Sequence, residues 1–365
     1  MRGQKPSEGY IFSYISPEQR VPKNHPIRSI RKIANEALEQ LSSVFDEMYS
    51  HTGRPSVPPE VLLKSQLLMA LYSIRSDRNF CETLDFNMLF RWFLDMEMDA
   101  ESFDASVFSK NRERLMEHKV AHRFLRKVVT IARGKGLVSD EHFSSDGTLM
   151  EAWASMKSFK RKDGTEVRLD DDDPGNPTID FHGEKRSNKT HESTTDPDAR
   201  LMKKSKGSSA KLAYCGTVLM ENRNGLCVDV RVTSATGKSE IESSKEMILV
   251  ERKRSGGRMA SLGGDKWFGT KDFVGWLKKC DIRAHVAKKD KIRISGYDNR
   301  TFKSPAYMVS QRKRKRIEEI FGWCKTIGGM RKTRLKGIRK NEEQASMIVT
   351  AYNLLRMSRL CPEPG

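Results

Sequence analysis

Cysteine is scarce and unpaired in this 365-residue sequence. Its six cysteines (Cys81, Cys215, Cys227, Cys280, Cys324, Cys361) form no Cys-x-x-Cys pair and have no histidine at zinc-ligand spacing. That excludes a disulfide-stapled fold and a zinc ribbon, and reduced thiols in a cytosolic protein are expected. Long apolar runs are absent too. The most hydrophobic helical stretch, Val61 to Ile74, is broken by Lys64, Ser65 and Gln66, so it is too short and polar to span a bilayer. Met1 to Tyr14 lacks the apolar segment of a secretory signal. His118 and His122 lie four apart, but without the intervening Glu of a zinc-hydrolase helix. Acidic residues are the minority charge, 48 Asp and Glu against 67 Lys and Arg, for a net +19. A polyanionic partner is the first expectation, because each neutralised phosphate releases counterions.

What is present divides along the chain. Residues 1–27 carry four prolines and read as an extended arm. Residues 28–136 read as an all-α domain: Leu63, Leu67, Leu71 and Ile74 recur on one face after Pro58-Pro59, and Phe86, Leu89, Phe90, Phe93 and Leu94 form a second stripe. Ser76 is one predicted cap and Asp104 or Ser106 another, and Gly134 and Gly136 are the stop. Residues 137–345 read as β, loop, ββ, α, β, α, β, α, a mixed sheet flanked by helices. Within them a polar insertion is expected at about 156–210, and a hairpin turns at Asn224-Gly225. Residues 346–365 remain as a C-terminal helix and tail.

Three acids stand out by position. Asp146 is predicted to end the first strand in an Asp-Gly turn, Asp265 to end a strand in mid-sheet, and Glu318 to lie on the helix after the last strand. Each alone has an ordinary reading, as turn former or surface ion-pair partner. Together, strand ends that converge in space can hold divalent cations, since Mg²⁺ takes one or two carboxylates and fills its other positions with water and phosphate oxygen. On one continuous helix Arg314, Glu318 and Lys325 (i, i+4, i+11) would share a face, beside the apolar stripe of Ile317, Phe321, Cys324 and Gly328.

In this setting the sequence resembles the DDE transposases of bacterial insertion sequences, specifically the insertion-sequence-five group. Segments such as GRPSVPPEVLLKSQLLMALYSIRSDRNF, SSDGTLMEAWASMKSFKRKDG, STTDPDARLMKKSKG, LGGDKWFGT and RKRIEEIFGWCKTIGGMRKTR carry the likeness in order over residues 53–334. The family's terminal signature (Tyr, two residues, Arg, three residues, Glu, six residues, Lys) fits at Arg314, Glu318 and Lys325, whereas Gln311 stands in the tyrosine position and Tyr307 lies one turn earlier. The resemblance implies a ribonuclease H-like catalytic domain with Asp146, Asp265 and Glu318 as the catalytic, metal-holding acids. It implies two Mg²⁺ ions, with Mn²⁺ able to substitute, and partners in terminal inverted repeats, target DNA and a second copy of the chain. A membrane is not among the expected partners, and a cytoplasmic, nucleoid-associated place follows from the same likeness.

Residues 300–340 hold 14 Lys and Arg against two acids, Glu318 and Glu319. A phosphate backbone is expected to pass there, held by Arg314, Lys325, Lys313, Lys315, Arg316, Arg331 and Lys332. Trp267, near Asp265, is a candidate wedge or stacking surface, and Trp323 a core residue. Two alternatives stay open: a catalytically silent DNA-binding protein on the same scaffold, and a ribonuclease H-like nuclease without strand transfer.

Overall fold

The computed structural model describes residues 14–50, 52–53, 56–164, 186–203, 207–287 and 300–361. Among them, eight helices precede the first strand: α1 (Pro17–Arg20), α2 (Pro26–Glu39), α3 (Ser42–Met48), α4 (Pro59–Leu71), α5 (Asp77–Phe86), α6 (Met88–Leu94), α7 (Ala105–Glu117) and α8 (Val120–Gly134). Proline opens α1, α2 and α4, where its missing N–H costs nothing. Ser76 accepts the Asn79 N–H (3.4 Å), as predicted, and of the two candidates for the other cap it is Asp104, which accepts the Ser106 N–H (2.7 Å). Two expectations are corrected. The described part of the arm is not extended, because α1 and the start of α2 lie within it. The stripe from Phe86 to Leu94 is two helices, since Asn87 turns its side chain onto the Phe90 N–H (3.1 Å) and starts α6, leaving Phe86 exposed.

The second half contains β1 (His142–Glu151), β2 (Phe159–Arg161), β3 (His191–Ser193), β4 (Arg200–Met202), β5 (Lys211–Glu221), β6 (Leu226–Ser234), α9 (Ser239–Arg254), β7 (Ser261–Gly264), α10 (Lys271–Lys279), β8 (Arg283–Val286), α11 (Pro305–Arg314), α12 (Ile317–Thr326) and α13 (Ile338–Leu360). The sheet runs β4-β5-β1-β7-β8, with β6 also paired to β5. Strand β5 is antiparallel to both β1 and β6, while β7 and β8 run parallel to β1. Val218, Leu219, Met220, Val228, Val230 and Leu262 are buried and make this sheet the centre of the core. The predicted hairpin forms at Gly225 (φ +72°), a backbone conformation that glycine takes without penalty. The stretch expected as a polar insertion carries β2, β3 and β4 in its described parts; its acidic run, Asp170 to Asp173, lies outside the described residues.

Helix α13 ties the halves together. It packs on α2, α4, α8 and β6 and is buried on nearly every side, as a central helix must be. A boundary at 345/346 therefore falls inside this helix rather than before it. Its N-terminus is fixed by the segment Thr195-Asp196-Pro197-Asp198. Asp196 Oδ1 accepts the Gly337 N–H (3.2 Å) and Asp198 Oδ2 the Ile338 N–H (3.0 Å). The buried Tyr214 hydroxyl donates to Asp196 (2.5 Å) and accepts from Gly337 (2.9 Å). Tyr214→Phe should cost about 1–3 kcal/mol, the penalty for stripping a buried network of one partner, read as a lower urea midpoint at unchanged slope.

Candidate active site

The structure corrects the reading of Asp146 as a strand end. Strand β1 continues through Asp146 and Gly147 to Glu151, with Asp146 opposite Val218 and Gly147 opposite Thr217 of β5. Its pairing with β7 stops earlier, at Ser144 opposite Gly263. Asp146 thus lies just past the point where two parallel strands part. Here β1 has an antiparallel neighbour on one side and a parallel one on the other. Asp265 immediately follows β7 and opens a 3-10 turn, Lys266–Phe268, its Oδ1 accepting the Trp267 N–H (2.8 Å). The turn leaves Trp267 72% exposed beside the acid.

Asp146 feels the charge of Asp265. Burial pushes the Asp146 carboxyl up to about 7, helped by the negative charges of Asp265 and Glu240; the Gly147 N–H (2.9 Å) and the Arg314 guanidinium act the other way. Glu240, in the first turn of α9, is likewise raised by burial and then by Asp265. Nothing in its spacing marked Glu240 in advance, and Gly147 is the signal that could have done so. A Cβ at Gly147 would lie 2.3 Å from Glu240 Oε1 and 2.5 Å from its Cγ, so this glycine is the space into which Glu240 packs, not a turn former. The Cys215 thiol donates to the same oxygen (3.9 Å).

The third sequence-nominated acid is placed differently. The single helix expected from Ser310 to Thr326 is two helices. At the junction the N–H groups of Arg316, Glu318 and Glu319 donate to the carbonyls three residues back, those of Lys313, Lys315 and Arg316. Such a tightened turn advances about 120° per residue instead of 100°, so Arg314 and Glu318 do not share a face. Arg314 turns inward, with its charge acting on Asp146 and its Nε buried without a hydrogen-bond partner among the described residues. Glu318 is solvent-exposed on the first turn of α12. Among the described residues, no group of three or more His, Cys, Asp or Glu is arranged to hold a metal ion.

The cations separate too. Arg316 is tied to the β5–β6 turn, donating to the carbonyls of Arg223 (2.8 Å) and Asn222 (3.4 Å), and so serves the fold. Lys315 and Arg331 are exposed, and Lys313 and Lys325 half-buried. Lys332 is exposed and lies 3.4 Å from Glu151. Gln311, at the tyrosine position, donates from Nε2 to the His285 carbonyl and fastens α11 to β8. Tyr307 packs edge-on to the His285 ring (6.1 Å). Trp323 packs against Tyr352 (5.8 Å), as expected of a core residue. His122 forms a buried pair with Asp229 (2.8 Å). No described helix is long and apolar enough to cross a membrane.

Comparison with known proteins places this arrangement. Residues 15–114 match the family described as "Transposase domain (DUF772)", and residues 163–354 the family described as "Transposase DDE domain". Among solved structures, the chain is similar to the piggyBac transposase synaptic complex with hairpin DNA, at 10% identity over 91% of this chain and 75% of that one (TM-score 0.39). It is similar also to the Mos1 transposase paired-end complex with left transposon end, at 8% identity over 81% and 93% (TM-score 0.20). A third is the Mos1 mariner paired-end complex with Mn, at 11% identity over 89% and 86% (TM-score 0.21). The DDE-domain match covers more than half of the 365 residues and includes both Asp265 and Glu318, so the chain belongs to the DDE transposase family.

Proposed function

We propose that this transposase, of the insertion-sequence-five group, cuts phosphodiester bonds at the ends of an insertion sequence and joins the freed 3′-hydroxyl to target DNA. The observation that carries the reading is the meeting of Asp146 and Asp265 where β1 and β7 part, with Arg314 beside them. The strand order β6-β5-β1-β7-β8, three antiparallel strands followed by two parallel ones, supports a ribonuclease H-like domain. The donor chemistry fits Mg²⁺, or Mn²⁺ in its place: carboxylate oxygens only, buried and then crowded by one another so that Asp146 resists ionisation. Two carboxylates suffice for such an ion when water and phosphate complete its shell. Bound as a pair, the ions would activate the attacking oxygen and stabilise the leaving one.

The chain's own residues then have defined tasks. Asp146 and Asp265 would hold the metal ions, and Arg314 would offset the negative charge of the scissile phosphate. Lys313, Lys315, Lys325, Arg331 and Lys332 carry the flanking backbone. The helical residues 28–136 bind terminal inverted repeats or pair two copies of the chain. For the third acid there are two nominees, Glu318 by family signature and Glu240 by packing. A silent DNA-binding protein is the second reading, favoured by the exposure of Glu318 alone.

The test incubates purified protein with a duplex carrying the element's inverted repeats, with Mg²⁺ or with chelator, and resolves nicked from joined products. Metal-dependent nicking and joining is the expected result. Binding without nicking would favour the silent reading, and nicking without joining a nuclease. Comparing Glu240→Gln with Glu318→Gln identifies the third acid: the variant that loses cutting while still binding DNA marks it.

A further inference from the structure

The far end of β1 reaches a second positively charged feature, of which the site above uses only Lys332. Beyond the β7 pairing, the chain segment 331–333 takes the vacated edge of β1: the Glu151 N–H donates to the Arg331 carbonyl (3.0 Å) and the Thr333 N–H to the Glu151 carbonyl (2.9 Å). Alternate residues of an extended segment face opposite ways. Thr333 is buried, so Lys332 and Arg334 both point out. Trp153, 51% exposed, stands under them, with Lys332 Nζ 5.4 Å and Arg334 Cζ 6.0 Å from its ring.

Across from these lies the turn between α4 and α5. The Ser73 hydroxyl donates to the Ile327 carbonyl (2.9 Å) and Arg334 Nη1 to the Arg75 carbonyl (3.2 Å), which latches the helical half to this loop. Between them is a cleft of about 380 Å³. Arg75 and Arg78 line one side, Lys332 and Arg334 the other, and all four are solvent-exposed. Asp77 is the one acid among the described lining residues, and it is paired with Arg112.

We propose that this cleft is a DNA phosphate-binding site in which Arg75 and Arg78 from the helical half oppose Lys332 and Arg334, the latter two ordered by Trp153. The proposal rests on the reading of DNA as substrate. Asp146 and Glu151 are five strand steps apart, roughly 17 Å, the axial rise of about five phosphates of one DNA strand at roughly 3.4 Å of duplex axis each. A backbone engaged at Asp146 can therefore continue into the cleft. Trp153 is a positioning residue: its ring face, together with the Glu151 carboxylate and the Arg75 carbonyl, holds two long cations over the groove and lowers the entropy lost when they grip phosphate.

The experiment measures binding of a fluorescently labelled random-sequence DNA duplex by anisotropy, without divalent metal, across a salt series. For the Arg75→Ala/Arg78→Ala pair, the slope of log affinity against log salt should flatten by about 1.8. The affinity lost between about 50 and 200 mM salt should shrink roughly tenfold relative to wild type. Trp153→Ala, which removes no charge, should weaken binding roughly two- to fivefold while Trp153→Phe retains most of it. Thermal melting checks that each variant is folded, and Arg75→Gln/Arg78→Gln replaces the alanine pair should that pair not fold. Wild-type slope and affinity in the folded Arg75/Arg78 variant would overturn the site, and wild-type affinity in Trp153→Ala would overturn its positioning role. Since nothing is cut in this assay, a wild type that binds with these losses yet fails to cleave would remove the catalytic reading alone.

Discussion

Asp146→Asn and Asp265→Asn should each lower end cleavage by at least about a thousandfold, while affinity for the same duplex stays within a few-fold of wild type. Asparagine keeps the shape of aspartate but offers a metal ion only one neutral oxygen. The expected loss, about 4 kcal/mol or more of transition-state stabilisation, is the scale on which removing a directly engaged electrostatic group is felt. Binding, by contrast, is assigned to cations on α11, α12 and the loops, none of which the variants remove; only Arg314 has its charge acting on Asp146. Asp265→Asn also keeps an oxygen able to accept the Trp267 N–H, so the 3-10 turn should survive. Cleavage at wild-type rate in either variant would remove that residue from the site.

Glu343→Gln should stabilise the protein above about pH 8 and leave it unchanged near about pH 4. Glu343 lies on α13, 2% exposed, and accepts the Ala121 N–H (2.9 Å) at the start of α8, which has no side-chain cap of its own. Burial pushes its carboxyl up to about 8 from an ordinary 4.5, against the pull of the Ala121 N–H, and neighbouring Glu342 adds to the rise. Below pH 4.5 both folded and unfolded chains hold this proton, so the group is neutral to the pH dependence. As pH climbs from 4.5 to 8 the unfolded chain releases the proton while the folded chain keeps it, and stability falls throughout that window. The loss is complete above about 8 and amounts to up to about 5 kcal/mol. Glutamine cannot titrate and retains an oxygen for the Ala121 N–H. Urea titrations of both proteins at several pH values should therefore diverge steadily from pH 4.5 to 8. Parallel curves would contradict the assignment.

Much of this was legible in the sequence, for physical reasons that differ by element. Local caps were readable because they depend on neighbours: Ser76, Asp104 and Asn224-Gly225 each did what their side chain or backbone freedom dictates. The proximity of Asp146 and Asp265 was legible for only half the right reason: Asp265 does follow a strand end, but Asp146 lies in mid-strand and comes near it because the β1–β7 pairing stops just short of both. Glu240 was not, since its place depends on an absent Cβ at Gly147, 93 residues earlier, and a glycine after an aspartate reads as a turn. The break between α11 and α12 also escaped, because KRKRIEE carries neither proline nor glycine. There the helix tightens as Arg316 is drawn onto the β5–β6 turn, a tertiary demand that local propensity does not encode. With the break goes the shared face of Arg314, Glu318 and Lys325, an inference from periodicity that needed one unbroken helix.

Iron-mediated backbone cleavage tests the central assignment most directly. Fe²⁺ with ascorbate and peroxide generates radicals that cut the polypeptide beside a site able to take Mg²⁺. The prediction is two cuts, one in β1 near Asp146 and one at the end of β7 near Asp265, both suppressed by excess Mg²⁺ and both lost in Asp146→Asn. Cuts confined to other parts of the chain would contradict it.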